Sequence, residues 1–133
     1  MWNEINREEE LYDFLNNIAF FHDSCLVNFS YISGAYVDSK LSMYPRNDKR
    51  LFRMVFQTQS SDFRTFELEF YELKYLIFYP TDLQFSCEIE YAEMYIKNGF
   101  IYLNFPSQWK SEENGETIMN SICATRCRWR IIN

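Results

Sequence analysis

The sequence predicts an α+β domain in which one N-terminal helix packs on a mainly antiparallel β-sheet of about seven or eight strands. Residues 4–18 carry apolar side chains at helical spacing, whereas the chain beyond residue 24 alternates apolar and polar residues with a period of two. No helix separates the predicted strands, so parallel βαβ units are not expected and the sheet should be antiparallel. The 133 residues fit a single α+β domain spanning 1–133.

The N-terminal helix is expected near residues 4–17. Asn6 is the predicted N-cap, and Glu9, three residues later, is its reciprocal capping partner. One face of this helix is apolar and needs a cover, which the aromatic side chains of the sheet provide. The residues of that face are Ile5, Leu11, Phe14 or Leu15, and Ile18.

The remaining pattern predicts strands joined by short turns. Turns are expected at 45–48 and 60–62, and Asn98-Gly99 between two extended apolar runs is a strong hairpin signal. Residues 106–116 form the predicted polar loop. The strands are expected at about 25–32, 35–44, 51–59, 64–71, 75–79, 85–96, 100–105 and 117–132.

Charge and hydropathy exclude several function classes. The net charge is −6, which argues against nucleic-acid binding and against an anionic membrane surface, because both partners require a basic footprint. The N-terminal residues lack the basic and apolar regions of a signal peptide, and no run approaches the length of a transmembrane helix. We therefore expect a cytoplasmic protein that binds neither nucleic acid nor membrane.

The four cysteines and the single histidine do not form a metal motif. Cys123 and Cys127 are four residues apart rather than in a CxxC pair, and His22 cannot complete a second ligand pair. We expect free thiols, no metal and no cofactor. Cys87 and Cys127 fall on inward phases of their predicted strands, so both should be buried and reduced.

Catalytic constellations are weak. His22 lies beside Asp23 and near Cys25, but a catalytic cysteine generally meets its base from a distant part of the chain. We expect His22 and Asp23 to bond backbone groups at the junction between helix and sheet. The three glycines are far apart and form no phosphate loop. The sequence predicts no catalytic residues and no enzyme activity.

Three predicted strands carry like-charged residues on their outward faces. A basic strand beside an acidic one would neutralise it, because opposite charges on neighbouring strands attract. In the other interpretation, part of the acidic stripe stays open and receives a basic protein partner. The predicted partner-binding residues are Glu67, Glu69, Glu88 and Glu90. The basic residues that would cover them are Arg126, Arg128 and Arg130.

Several short segments resemble small uncharacterised bacterial proteins, some of which look like immunity proteins of polymorphic or contact-dependent toxin systems. These segments are Trp2-Asn3-Glu4-Ile5, Phe21 to Cys25, Tyr31 to Val37 with Met43, Phe56 to Gln59, and Arg128-Trp129-Arg130. The resemblance implies a cytosolic protein that neutralises a toxin domain by direct binding, and it carries over no binding residues. Two alternatives stay open: an enzyme of unrecognised type, and a homo-oligomeric structural protein with tyrosines at the subunit interface.

Overall fold

The computed structural model describes residues 1–60 and 62–132; Ser61, within the predicted turn at 60–62, and Asn133 lie outside the described residues. The described part of the chain contains one α-helix, one short 3-10 turn and nine strands. The predicted α+β class, with an N-terminal helix on an antiparallel sheet, is confirmed. The elements are β1 Asn3–Ile5, α1 Glu8–Asn17, the 3-10 turn Ala19–Phe21, β2 Ser24–Ile32, β3 Tyr36–Val37, β4 Met43–Tyr44, β5 Leu51–Thr58, β6 Thr65–Ile77, β7 Glu93–Lys97, β8 Phe100–Lys110 and β9 Thr117–Ile131.

Within the described residues the main sheet has seven strands, in the order β2-β5-β6-β9-β8-β7, and β1 also pairs with β9. Every ladder is antiparallel. The long strand β9 has two partners on one side, because β8 pairs with it as far as Ala124 and β1 begins opposite Cys127. The N-terminus of the chain is thereby placed beside the C-terminal half of β9.

The segment 78–92 connects the two edges of the sheet. The amide of Ile89 donates to the carbonyl of Ser24 on β2 at 2.8 Å, and the same segment then enters β7, which pairs with β8. The predicted strand at 85–96 is therefore wrong over most of its length, and only Glu93–Lys97 forms a strand. A segment that crosses from one sheet edge to the other cannot remain in a single ladder, although its sequence alternates like a strand.

The helix lies on one face of the sheet, where the core is formed. Phe14 packs against Trp129 with ring centroids 5.1 Å apart, and Phe21 packs against Phe56 at 5.3 Å. These rings are at most 6% exposed. The predicted apolar helix face is thus confirmed as the cover of the sheet, and Ile5, Leu11, Leu15 and Ile18 are buried with it.

The helix begins later than predicted. Glu10 accepts hydrogen bonds from the amides of Asn6 and Arg7, at 2.9 and 3.1 Å, and Arg7 is the N-cap. The predicted pair of Asn6 and Glu9 is therefore displaced by one residue. The reason is β1: residues 3–5 pair with β9 and cannot belong to the helix.

Two further strand predictions are revised. The predicted strands 64–71 and 75–79 are one continuous strand, β6, with an irregularity between Leu73 and Tyr75. The predicted strand 35–44 is a small hairpin of β3 and β4, with Tyr36 stacked on Tyr44. The Asn98-Gly99 hairpin is confirmed: both residues have positive φ, as a two-residue turn of type I′ requires.

Candidate protein-binding surface

Glu67 and Glu69 lie in the interior of the molecule, on the face of the sheet opposite the helix. Glu67 is 0% exposed and Glu69 is 6% exposed. Because β9 is the neighbour of β6, Glu67 lies opposite Arg130 and Glu69 opposite Arg128. The expectation that these two carboxylates form a contact surface is therefore wrong. The other interpretation, in which the neighbouring arginine strand neutralises them, is correct for this pair.

Arginine side chains from two strands hold the buried carboxylates. Arg53 on β5 reaches Glu67 at 2.5 Å, and Arg130 reaches the other oxygen of the same carboxylate at 3.2 Å. Arg128 reaches Glu69 at 2.7 Å. Arg53 was not among the sequence candidates, since its role depends on β5 being the second neighbour of β6.

The N-terminal Trp2 covers this ion-pair network. Its ring lies 4.1 Å from the guanidinium of Arg128 and 4.2 Å from that of Arg130, which are cation–π distances. Tyr71 donates from its hydroxyl to Glu69 at 2.7 Å. Arg126 is exposed, lies opposite Tyr71 in the ladder and stacks over that ring. The carboxylates of the network are thus buried and paired, while its arginine side chains stay 29–45% exposed.

Glu88 and Glu90 are in a different setting. Both are exposed, and they flank the buried Ile89 in the segment that crosses between the sheet edges. Neither is on a strand, so they do not share a strand face with Glu67 and Glu69. The structure therefore divides the four predicted binding residues into a buried pair and an exposed pair.

The exposed pair borders a groove of about 400 Å³. Leu26, Phe78 and Phe105 contribute apolar surface, and Phe85 and Tyr91 are more than half exposed beside it. Among the described residues, the lining contains two carboxylates, Glu88 and Glu90, and no lysine, arginine or histidine. The groove thus combines accessible aromatic rings with a negative border.

Hydrogen bonds fix the segment that forms one wall of the groove. At its start, the amide of Tyr79 donates to the buried Asn120 at 2.7 Å. The Trp109 indole donates to the carbonyl of Pro80 at 3.3 Å, and the amide of Asp82 donates to Gln108. Its far end is held by the Ile89 bond to β2. A wall anchored at both ends gives a groove that exists before any partner binds.

The junction between helix and sheet is held by Ser24. Its buried hydroxyl donates to the carbonyl of Phe21 at 2.5 Å. The His22 side chain is instead exposed, and its one polar contact within the described residues is with the adjacent Asp23 carboxylate, at 3.1 Å, while its backbone amide donates to the carbonyl of Ala19 at 2.9 Å. The prediction that the His22 side chain bonds the backbone there is therefore wrong, whereas the backbone carbonyl of Asp23 accepts from the Gln59 amide at 3.2 Å.

The cysteines differ in exposure. Cys127 is fully buried, as predicted, and burial together with the nearby Glu4 and Glu69 carboxylates raises its pKa well above the usual thiol value. Cys87 is exposed, contrary to the prediction, because it lies in the crossing segment and not on an inward strand position. Burial and then the neighbouring Cys87 raise the pKa of Cys25, the opposite of what an activated nucleophile requires.

The described residues contain no group of three His, Cys, Asp or Glu side chains arranged to hold a metal ion. Within the same residues, no helix has both the length and the apolar character needed to cross a membrane. No protein family, curated protein or solved structure matches the chain. The function must therefore be inferred from the surfaces of the molecule.

Proposed function

We propose that this protein is a non-catalytic binding domain that recognises another protein through the groove bordered by Glu88 and Glu90. The observation that carries the proposal is the coincidence of exposed aromatic rings and exposed carboxylates at one groove. Aromatic side chains supply much of the binding energy in protein contacts, while charge favours association rate and choice of partner.

The expected partner is a basic protein domain. The groove lining has carboxylates and no cationic side chain among the described residues, and the whole chain carries −6. Complementary potentials of opposite sign steer two proteins together. Together with the sequence resemblance, this supports a cytoplasmic immunity protein that neutralises a basic toxin domain by covering it.

The proposal also accounts for the weakness of the catalytic candidates. The Cys25 thiol has a raised pKa, and the Glu67 and Glu69 carboxylates are already paired with arginines. Groups in those states are poorly suited to act as a nucleophile or as a general acid. A binding role needs none of them to react.

The test is a protection assay with the protein product encoded directly upstream of this gene, where the resemblance to immunity proteins implies that the toxin gene lies. Cells that express this product should stop growing, and co-expression of the wild-type chain should restore growth. Glu88→Lys/Glu90→Lys should lose the protection because it reverses the charge of the groove. Glu8→Lys/Glu9→Lys, two exposed helix residues with the same charge change, should retain it.

Equal protection by both folded double variants would remove Glu88 and Glu90 from the interface. Conversion of a small molecule by the purified chain, lost on mutation of a groove residue, would refute the binding function itself.

A further inference from the structure

Strand β2 forms an open edge of the main sheet. It is the first strand in the sheet order and pairs with β5 on one side. On its other side, within the described residues, its one backbone contact is the hydrogen bond from Ile89 to Ser24 at 2.8 Å. The outward backbone groups beyond Ser24 are therefore available to pair with another strand.

The two edges of the sheet differ in protection. The opposite edge, β7, is five residues long and carries Glu93 and Lys97, features that discourage pairing with another chain. β2 is nine residues long, and residues 24–37 contain no charged side chain. Natural sheets protect long edges with charges, proline or bulges. β2 has one register shift, between Leu26 and Asn28, but residues 28–32 beyond it carry neither charge nor proline, which indicates a surface that is covered in the working protein.

The hairpin of β3 and β4 exposes further apolar side chains. It follows directly after β2 and pairs within itself rather than with the main sheet. Nine large apolar or aromatic side chains of β2 and the hairpin region are 38–85% exposed. They are Val27, Phe29, Tyr31, Ile32, Tyr36, Val37, Leu41, Met43 and Tyr44.

The exposed area matches the size of a stable interface. A fully exposed side chain of this kind presents roughly 150–250 Å², so the nine together expose on the order of 900 Å². A standard specific interface buries about 800 Å² on each partner. On β2 this area lies on both faces of the sheet, since Phe29 and Tyr31 pair with core residues of β5 whereas Ile32 pairs with Leu51. Edge-to-edge pairing would therefore bury part of it on each face.

We infer that β2 and the β3–β4 hairpin bind a second copy of this chain, with the two β2 strands antiparallel across a two-fold axis. A two-fold interface uses the same patch on both subunits, and a strand pairs with its own copy in this way through its outward backbone groups. This pairing is possible because residues 24–37 carry no charged side chain. Each chain has a net charge of −6, so two copies would repel each other at an acidic patch but not at this segment.

The same geometry limits the assembly to two chains. After β2 pairs with β2, the main-sheet edges left within the described residues are the short, charged β7, the three-residue β1, and the part of β8 beyond Asn104, which contains Pro106. The groove adjoins this edge, because Leu26 of β2 lines it, but its two carboxylates, Glu88 and Glu90, lie outside β2 and the hairpin. The inference therefore does not depend on the proposed function. A dimer would present two such grooves to partners.

Sedimentation velocity of the full chain over a wide concentration range tests the inference. We expect a species of twice the 16.2 kDa chain mass that dissociates on dilution. Val27→Lys/Met43→Lys should raise its dissociation constant at least about 100-fold, because ammonium groups without partners would be buried in the interface. Tyr12→Lys/Leu83→Lys makes the same charge change at exposed apolar residues outside the patch and should leave the dimer intact.

Hydrogen exchange supplies a second readout that does not require a variant. The β2 amides should exchange more slowly as protein concentration rises, and those of β7 should not. A chain that stays monomeric at all concentrations, or a dimer equally stable in Val27→Lys/Met43→Lys, would overturn the inference. Protection of β2 only when the upstream gene product is added would overturn it as well, by assigning the edge to that partner.

Discussion

Arg128 directs both Nε and Nη2 to one carboxylate oxygen of Glu69, at 2.8 and 2.7 Å, across the ladder of β6 and β9. Glu67 and Arg130 are opposed in the same ladder two residues away. The two charge stripes of the sequence thus meet at adjacent strands. The face of the sheet opposite the helix is therefore neutralised by its own ion pairs and is not an open charged surface.

Removal of the Glu67 charge should destabilise the fold strongly. Glu67→Gln leaves Arg53 and Arg130 facing a neutral amide in a site with no solvent access to residue 67. We expect a loss of roughly 2 kcal/mol in the free energy of unfolding, measured by urea denaturation, because Glu67 is buried but the two arginines left behind are 34–45% exposed. Glu88→Gln, at an exposed position, should change it by less than about 0.5 kcal/mol. A Glu67→Gln protein as stable as wild type would contradict the structural role of the network.

Loss of the Trp2 ring should weaken the same network from outside. Trp2→Ala removes the ring that lies 4.1 Å from Arg128 and 4.2 Å from Arg130. We expect about 1–2 kcal/mol of destabilisation, with Trp2→Phe intermediate because a smaller ring keeps part of the cation–π contact. Thermal unfolding of the three proteins in parallel measures this order. Equal melting temperatures would show that the Trp2 ring adds no stability to the network.

The thiols should react in the order of their exposure. Maleimide labelling of the native protein, followed by peptide mass spectrometry, should modify Cys87 first and Cys25 more slowly. Because the pKa of Cys25 is raised, its rate should keep increasing at pH values above the usual thiol pKa. Cys123 and Cys127 should react only after unfolding. Labelling of Cys127 in the folded chain would contradict its burial.

Gly34 should tolerate no side chain. Its φ is +102°, and an added Cβ would overlap the Asp48 carboxylate and lie 2.9 Å from the Lys49 amide nitrogen. We expect Gly34→Ala to cost about 2–3 kcal/mol, from backbone strain and steric overlap together. Gly115→Ala is the control, since Gly115 also has positive φ but open space around it. Urea unfolding should show a smaller loss for the control, and equal losses would mean that the overlap is relieved at no cost.

The elements could be predicted from the sequence wherever local pattern decides them. The apolar face of α1, the Asn98-Gly99 hairpin and the antiparallel arrangement all follow from spacing and turn chemistry. The burial of Glu67 and Glu69 does not, because a period-two pattern cannot distinguish a solvent face from a second face covered by arginines and Trp2. That distinction depends on which strands are neighbours.

The groove was also inaccessible to pattern reasoning. Residues 85–91 alternate like a strand, but the segment crosses between two sheet edges and presents Cys87, Glu88 and Glu90 to the surface. Only the fold places Leu26 and Phe105 beside them. Of the four predicted binding carboxylates, the structure leaves two exposed, and these support the proposed interface.

Binding through the groove bordered by Glu88 and Glu90 is tested most directly by isothermal titration calorimetry, which measures the dissociation constant between this chain and the upstream gene product. We expect tight binding to the wild type and at least about tenfold weaker binding to Glu88→Lys/Glu90→Lys at low salt. The difference should shrink at high salt, where surface charges are screened. The same affinity for the wild type and the folded variant at low salt, or no binding at all, would contradict it.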